Sequence, residues 1–255
     1  MRAFFAVLGL ISLVSAHGYV QQVTANGRAL TSPADPYLSP TPSRVIRKVP
    51  GNGPVQDLSL IDIHRWWCCG QLAAALTATI AAGSSLTVNW TTWPDSHLGP
   101  IVTYLARAPS DITAWSPGSS AVWFKVAQSG YSNGTLDILN IHIMTMTLDE
   151  GVWASTTLIK NNGIYSFTIP SSLKAGQYIV RHENIALHAA YTYPGVQIYP
   201  SCIQITVTGS GSATGPSSLV SFPGAYTAST PGIVFDVYQG NSSTYVIPGP
   251  AVWTG

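Results

Sequence analysis

A histidine that becomes the first residue of a mature chain offers a metal two nitrogens, its α-amine and its ring, and His17 is placed to do so. Residues 1–16 carry an early Arg2, an apolar run from Ala3 to about Val14 and the small-residue end Val14-Ser15-Ala16. That is the order of a secretory signal, and cleavage after Ala16 makes His17 the N-terminus. An unperturbed amine pKa of about 7.7–8 lets a metal displace the proton near neutral pH. A second donor of the same kind is His97, in the turn-rich segment Trp93-Pro94-Asp95-Ser96-His97-Leu98-Gly99-Pro100 between two apolar stretches. Prolines and a glycine on its flanks can fix a loop ring in place. These residues alone leave open whether His97 is a ligand or an ordinary loop histidine. His188 ends Arg181-His182-Glu183-Asn184-Ile185-Ala186-Leu187-His188, and further on comes Gln197-Ile198-Tyr199-Pro200, then Cys202. In a strand, Gln197 and Tyr199 point to one face. An amide and a phenol together depart from a plain core pattern, although a tyrosine packed at a sheet edge fits the same residues.

Three other histidines read differently. His182 is expected in a buried polar network with Arg181 or Glu183. His64, in His64-Arg65-Trp66-Trp67, reads as exposed or part of a local irregularity, and His142 as a strand residue without a catalytic role.

The elements that must position these side chains are short strands. Residues 85–90, 101–106, 121–126, 165–169, 176–181 and 203–208 are rich in β-branched and aromatic types. Pro50-Gly51, Ala82-Gly83, Asn162-Gly163 and Ala175-Gly176 supply turn signals. Only 71–80 looks helix-like, and its threonines weaken that reading. The pattern predicts an all-β, antiparallel sandwich of immunoglobulin-like or fibronectin-like type with long loops. The Gly/Ser-rich stretch 209–216 resembles a linker, but about 40 residues follow it, too few for a typical domain. It reads as a loop within a single domain spanning 17–255, and the Pro-rich stretch 31–54 as a long surface loop.

Composition narrows the partners. Charged residues make up 8% of the chain and the formal net charge is +1, which gives little steering toward nucleic acid or an anionic membrane. No apolar run beyond the signal approaches the roughly 18 residues that a membrane span needs. A soluble, secreted monomer facing an uncharged polymer such as a polysaccharide is expected. Three cysteines in a secreted chain suggest one disulfide and one leftover thiol. Asn89-Trp90-Thr91, Asn133-Gly134-Thr135 and Asn241-Ser242-Ser243 fit the glycosylation acceptor pattern.

Taken in order, the landmarks resemble the fungal lytic polysaccharide monooxygenases of the cellulose-active auxiliary activity family nine. They are Ala16/His17-Gly18-Tyr19-Val20, the Trp93 to Pro100 segment running on to Tyr104-Leu105-Ala106, Ile169-Pro170, Gly176-Gln177-Tyr178-Ile179-Val180-Arg181-His182-Glu183, Ala186-Leu187-His188 and Gln197-Ile198-Tyr199-Pro200 with Cys202. Pro223-Gly224-Ala225-Tyr226, Pro231-Gly232-Ile233 and Ile247-Pro248-Gly249-Pro250 follow.

The resemblance implies one copper ion in a histidine brace. The amine and ring of His17 and the ring of His97 would bind it, with Tyr199 axial. His188 and Gln197 would lie beside the metal and hydrogen-bond the oxygen species there. Nitrogen donors in a planar arrangement suit copper, and neighbouring groups orient what binds. The implied activity is oxidative cleavage of β-1,4-glucan such as cellulose at C1 and/or C4, using O2 or H2O2 and an external electron donor. Tyr226 is expected on a flat surface, stacked against a sugar ring; Tyr37 is a candidate for a similar part, with no matched motif behind it. The resemblance also implies a bridge from Cys202 to Cys68 or Cys69, Cys68 being favoured by its Cys-x-Gly-Gln context.

The chain departs from the family pattern at Arg107-Ala108-Pro109-Ser110-Asp111, which lacks the cysteine of a second bridge common in the family. It departs again at residues 64–67 and 135–149, the latter reading as an insertion or a translated intron. Two rival functions are a glycoside hydrolase, which needs two positioned carboxylates, and a non-catalytic secreted copper- or carbohydrate-binding sandwich. Within the matched landmarks only Asp95 and Glu183 are acidic, and both read as structural.

Overall fold

The computed structural model describes residues 17–25, 27–30, 34–39, 41, 43–60, 73–132 and 151–255. The expected signal, His64, His142, Cys68, Cys69, the Asn133 acceptor and the segment 135–149 lie outside the described residues.

Two sheets face each other. The smaller runs β2 (Arg28–Ala29), β1 (Val20–Ala25), β4 (Ser85–Trp90), β9 (Ile164–Thr168), all antiparallel. The larger runs β3 (Ala78–Ala81), β11 (Gln197–Thr208), β10 (Gly176–Ala186), β5 (Ile101–Arg107), β6 (Trp123–Ser129). A short ribbon of β7 (Tyr131–Ser132) and β8 (Val152–Trp153) lies beside them. The sandwich is as expected with one exception: β3 pairs with β11 in parallel.

The inner core follows from period-two alternation. Val23, Leu86, Val88 and Trp90 from the small sheet pack against Ile101, Leu105, Val180, Ile203 and Ile205 from the large one. The other face of the large sheet is also buried. Val102, Tyr104, Ile179, Ile185 and Ile198 meet Phe222, Tyr226 and Ile233 of the C-terminal loops. This double cover explains why β10 extends to Ala186, well past the predicted end at 181, although Arg181-His182-Glu183-Asn184 reads as polar.

The helix-like expectation for 71–80 fails where it can be seen. Residues 73–77 are not helical and Ala78–Ala81 is a strand, as an alternating Ala-Thr-Ile-Ala run with β-branched side chains prefers. The α-helix among the described residues is instead α1 (Ala154–Lys160), with Ala154, Ser155 and Leu158 on its buried side. It stops at Asn162-Gly163, both with positive φ (54° and 80°), a left-handed end that suits these two residues.

The helix has a positioning role. The Ser155 hydroxyl accepts a hydrogen bond from the Gly99 N–H (3.0 Å), and the Ser155 N–H donates to the Gly99 carbonyl (3.2 Å). The backbone around Gly99 is thereby clamped between α1 and β10, with Leu187 N–H on Leu98 O (2.8 Å) and Ile185 N–H on Pro100 O (3.0 Å). A Cβ at Gly99 would sit 1.9 Å from the Ile185 carbonyl oxygen. Gly99→Ala is therefore expected to force the His97 loop off β10, costing about 2 kcal/mol or more. In a chain of this size that lowers Tm by roughly 4–8 °C. Calorimetry reads it; an unchanged Tm would show that the clamp is not required.

Candidate metal centre

At one end of the sandwich, three segments deliver side chains to a common point. His17 precedes β1 and is held by its neighbours. The Tyr19 N–H donates to Thr91 Oγ1 (3.2 Å), the Thr91 N–H to the Tyr19 carbonyl (3.0 Å), and the Val20 N–H crosses to Ser201 Oγ on β11 (3.1 Å). Gly18 lies so close to Trp93 that an added Cβ would be 3.0 Å from the indole.

His97 sits in the β4–β5 loop. Its N–H closes a turn onto Pro94 O (3.1 Å), and its carbonyl accepts the Trp93 indole N–H (3.0 Å). Its Nδ1 pairs with Ser96 Oγ (3.1 Å), leaving Nε2 as the nitrogen available for another partner. Tyr199 and Gln197 share a face of β11 as predicted, and the Tyr199 hydroxyl donates to Gln197 Oε1 (2.6 Å).

The rings of His17, His97 and Tyr199 form a near-equilateral group, with centroids 6.2 Å (His17–His97), 6.0 Å (His17–Tyr199) and 6.1 Å (His97–Tyr199) apart. His188, just beyond β10, stacks on His97 at 3.9 Å and 30°. Its buried Nδ1 has no hydrogen-bond partner among the described residues. Trp93 underlies the group, edge-on to both Tyr199 (4.9 Å) and His97 (5.8 Å). The sequence motif contained Trp93 and Ser96 but gave no reason to assign them a part, since their contacts with the His97 ring and carbonyl depend on the turn.

Protonation favours lone pairs here. Burial, then His188 and His17, lower the His97 pKa to about 4. Burial and then His17 lower that of His188, so His97 is neutral at pH 7 and not competing for a proton.

These residues fit a copper ion. Two metal–nitrogen bonds of about 2 Å in series, each ending on an imidazole, span centroids roughly 6 Å apart, close to the His17–His97 separation of 6.2 Å. Among the described residues no group of three or more His, Cys, Asp or Glu could hold a metal. A metal here therefore needs a donor outside that set, and the Tyr199 phenol stands in the group as one.

Tyr226 is a correction. It is 2% exposed, and its hydroxyl donates to Glu183 Oε1 and pairs with Tyr104 Oη (2.8 Å). Glu183 is in turn bridged to Arg181 (2.7 Å), both fully buried. A carboxylate on the covered face of β10 needs donors, and the Pro223 to Tyr226 loop folds inward to supply one, so Tyr226 cannot meet a sugar. The exposed tyrosines are Tyr37, Tyr191 and Tyr238, at 66%, 65% and 61%. Tyr191 and Tyr238 lie on segments joined by Phe235 N–H on Ala190 O (2.8 Å), next to His188. Their signal in the sequence was slight: aromatics among polar and small loop residues.

His182 is buried as expected, but on the opposite face from Arg181 and Glu183, as alternation requires. Its Nδ1 pairs with Thr103 Oγ1 (2.8 Å). Cys202 is fully buried on β11, while its expected partners lie outside the described residues.

Residues 17–245 match the model of Auxiliary Activity family 9, formerly GH61. The chain is 50% identical over 267 residues to AA9 family lytic polysaccharide monooxygenase B of Gloeophyllum trabeum, covering 100% of this chain and 98% of the relative. It is 49% identical over 255 residues to AA9 family lytic polysaccharide monooxygenase B of Malbranchea cinnamomea, covering 98% and 96%. Among solved structures it is similar to a cellulose-active polysaccharide monooxygenase from M. thermophila, with TM-score 0.77, 33% identity and coverage of 94% and 100%. It is also similar to the extended catalytic domain of H. jecorina LPMO9A, with TM-score 0.76, 32% identity and coverage of 94% and 92%.

Proposed function

The chain belongs to Auxiliary Activity family 9, the lytic polysaccharide monooxygenases, and from that premise we propose that it is a secreted, copper-dependent enzyme cleaving β-1,4-glucan, cellulose foremost. The observation that carries this reading is the convergence of His17, His97 and Tyr199 at 6.0–6.2 Å. The amine and ring of His17 and the ring of His97 would hold copper, with Tyr199 as a further candidate donor beside them.

Copper, when bound, supplies one-electron redox chemistry toward O2 or H2O2 after reduction by an external donor. With O2, one oxygen atom enters a C–H bond at C1 and/or C4, and the other leaves as water after uptake of two electrons and two protons. The protein's own residues do the rest. His188 presents a ring nitrogen beside His97 where it can hold or give a proton, and Gln197 fixes the Tyr199 hydroxyl. Trp93 and Ser96 fix the orientation of His97. Tyr191, three residues after His188, and Tyr238, on the segment that Phe235 ties to Ala190, offer exposed aromatic faces, and Tyr37 another, for stacking on glucose units. A nearly uncharged chain suits a neutral polymer.

The finer features follow the same reading: a single domain over 17–255 released as a monomer after loss of 1–16, with Cys202 bridged to Cys68. Asn241 is exposed in its turn, whereas Asn89 lies in a central strand with its amide oxygen engaged by Gln21 (3.1 Å); Asn241 is the better glycan acceptor.

Product analysis tests the function. Copper-loaded mature protein with cellulose and ascorbate is expected to release oligosaccharides with C1-oxidised ends, C4-oxidised ends or both by mass spectrometry, and none without reductant. Glucan or copper binding with no oxidised product would favour the non-catalytic binding sandwich instead.

A further inference from the structure

Behind Tyr199 the layer between the two sheets changes character. Tyr178, Val180 and Ala186 face it from β10, but the alternate positions between them, His182 and Asn184, bring an imidazole and a carboxamide to the same face. The register fixes this orientation. Asn184 pairs across to Tyr199, and His182 to Ser201, whose hydroxyl reaches Val20 of β1 on the opposite sheet.

His182 and Asn184 are fully buried, as is Trp90, which lies against the His182 ring from β4. Thr103 satisfies Nδ1 of His182. His182 Nε2, both polar atoms of the Asn184 amide and the Trp90 indole N–H have no partner among the described residues. Such a concentration of orphaned groups is rare in folded proteins, because each one forfeits its hydrogen bonds to solvent.

We propose that this patch is an internal water site, one or two ordered molecules bridging His182 Nε2, the Asn184 amide and Trp90 Nε1. Water is the ligand whose chemistry fits, since the group offers at least two donors and one acceptor, and buried waters typically make about three hydrogen bonds. The Trp90 and His182 rings are direct neighbours, with centroids 5.8 Å apart at 52°, and Asn184 lies two residues from His182 on the same face of β10, which brings the orphaned groups into one region. A cation is disfavoured. Glu183, the carboxylate of this stretch, points to the other face and is engaged by Arg181 and Tyr226; an anion is disfavoured too, because burial lowers the His182 pKa to about 3 and leaves its ring neutral. The water lies under the cross-strand partner of Tyr199 and would stiffen the strand pair that carries it. The proposal does not depend on the catalytic reading.

A crystal structure of the mature protein at about 1.5 Å or better is expected to show water density within hydrogen-bond distance of Asn184 and of His182 or Trp90. Magnetic relaxation dispersion should detect it as long-lived. Asn184→Leu, which keeps the number and branching of the side-chain heavy atoms, should lose that signal and melt at a lower temperature. A dry patch in the wild-type crystal, or side chains turned to protein partners there, overturns the proposal. So does an Asn184→Leu protein with a higher Tm and unchanged dispersion, the result expected when orphaned groups in a dry core are replaced by hydrocarbon. If the variant does not fold, the wild-type crystal and dispersion data still decide.

Discussion

His188→Ala is expected to bind copper nearly as tightly as the wild type and to release roughly 10²–10⁴-fold fewer oxidised cello-oligosaccharides, the usual worth of a positioned proton donor or acceptor. The separation of binding from turnover rests on where His188 sits. Its ring stacks on His97 at 3.9 Å and does not take the place of His17, His97 or Tyr199 in the three-ring group. Its buried Nδ1 has no partner among the described residues, so it is free to serve a group that arrives with the reaction. The backbone link of Leu187 to Leu98 survives the truncation, so the His97 loop should keep its course. Copper titration by calorimetry, beside product quantification at equal reductant, separates the outcomes. Wild-type yield would remove His188 from the chemistry, and loss of copper would make it a ligand.

An added residue before His17 is expected to be at least as damaging, and earlier in the sequence of events. The extension turns the amine, with its pKa near about 8, into an amide nitrogen that gives up its proton to copper far less readily. Changes outside the ligand set already cost roughly 10–100-fold in metal affinity, so removing a ligand should weaken Cu(II) binding by more than about 100-fold. The rest of the segment cannot shift to compensate, because Gly18 is packed on Trp93 and Tyr19 is tied to Thr91 by two hydrogen bonds. Equal affinity for extended and mature protein would falsify the brace.

Much of this architecture was legible because strands advertise themselves by alternation. Residues 85–90 matched β4, and 101–106 fell one residue short of β5. The pairing of Gln197 with Tyr199 followed from the same periodicity and is a 2.6 Å hydrogen bond. Alternation misled where both faces are covered: the polar run 181–184 looked like a strand end, yet it is the buried middle of the large sheet. Tyr226 failed for a different reason, since local sequence does not say which way a loop aromatic turns. Glu183 held the missing clue, as a carboxylate inside a strand demands donors from somewhere. The meeting of His17 with His97 is wholly tertiary. Only the ordered set of landmarks, and no spacing within either segment, pointed to it.

The double cover of β10 also bears on how such a chain can diversify. His188 hangs from the end of a strand packed on both faces and hydrogen-bonded on both edges, so its position is inherited from the most deeply interlocked part of the molecule. Three residues further on, Tyr191 stands exposed. Substitutions there and at Tyr238 touch solvent on most of their surface and leave the strand undisturbed. If these tyrosines grip the polymer as proposed, substitutions there can change which surface is held, residue by residue, while the positions of His97 and His188 stay as the sheet sets them.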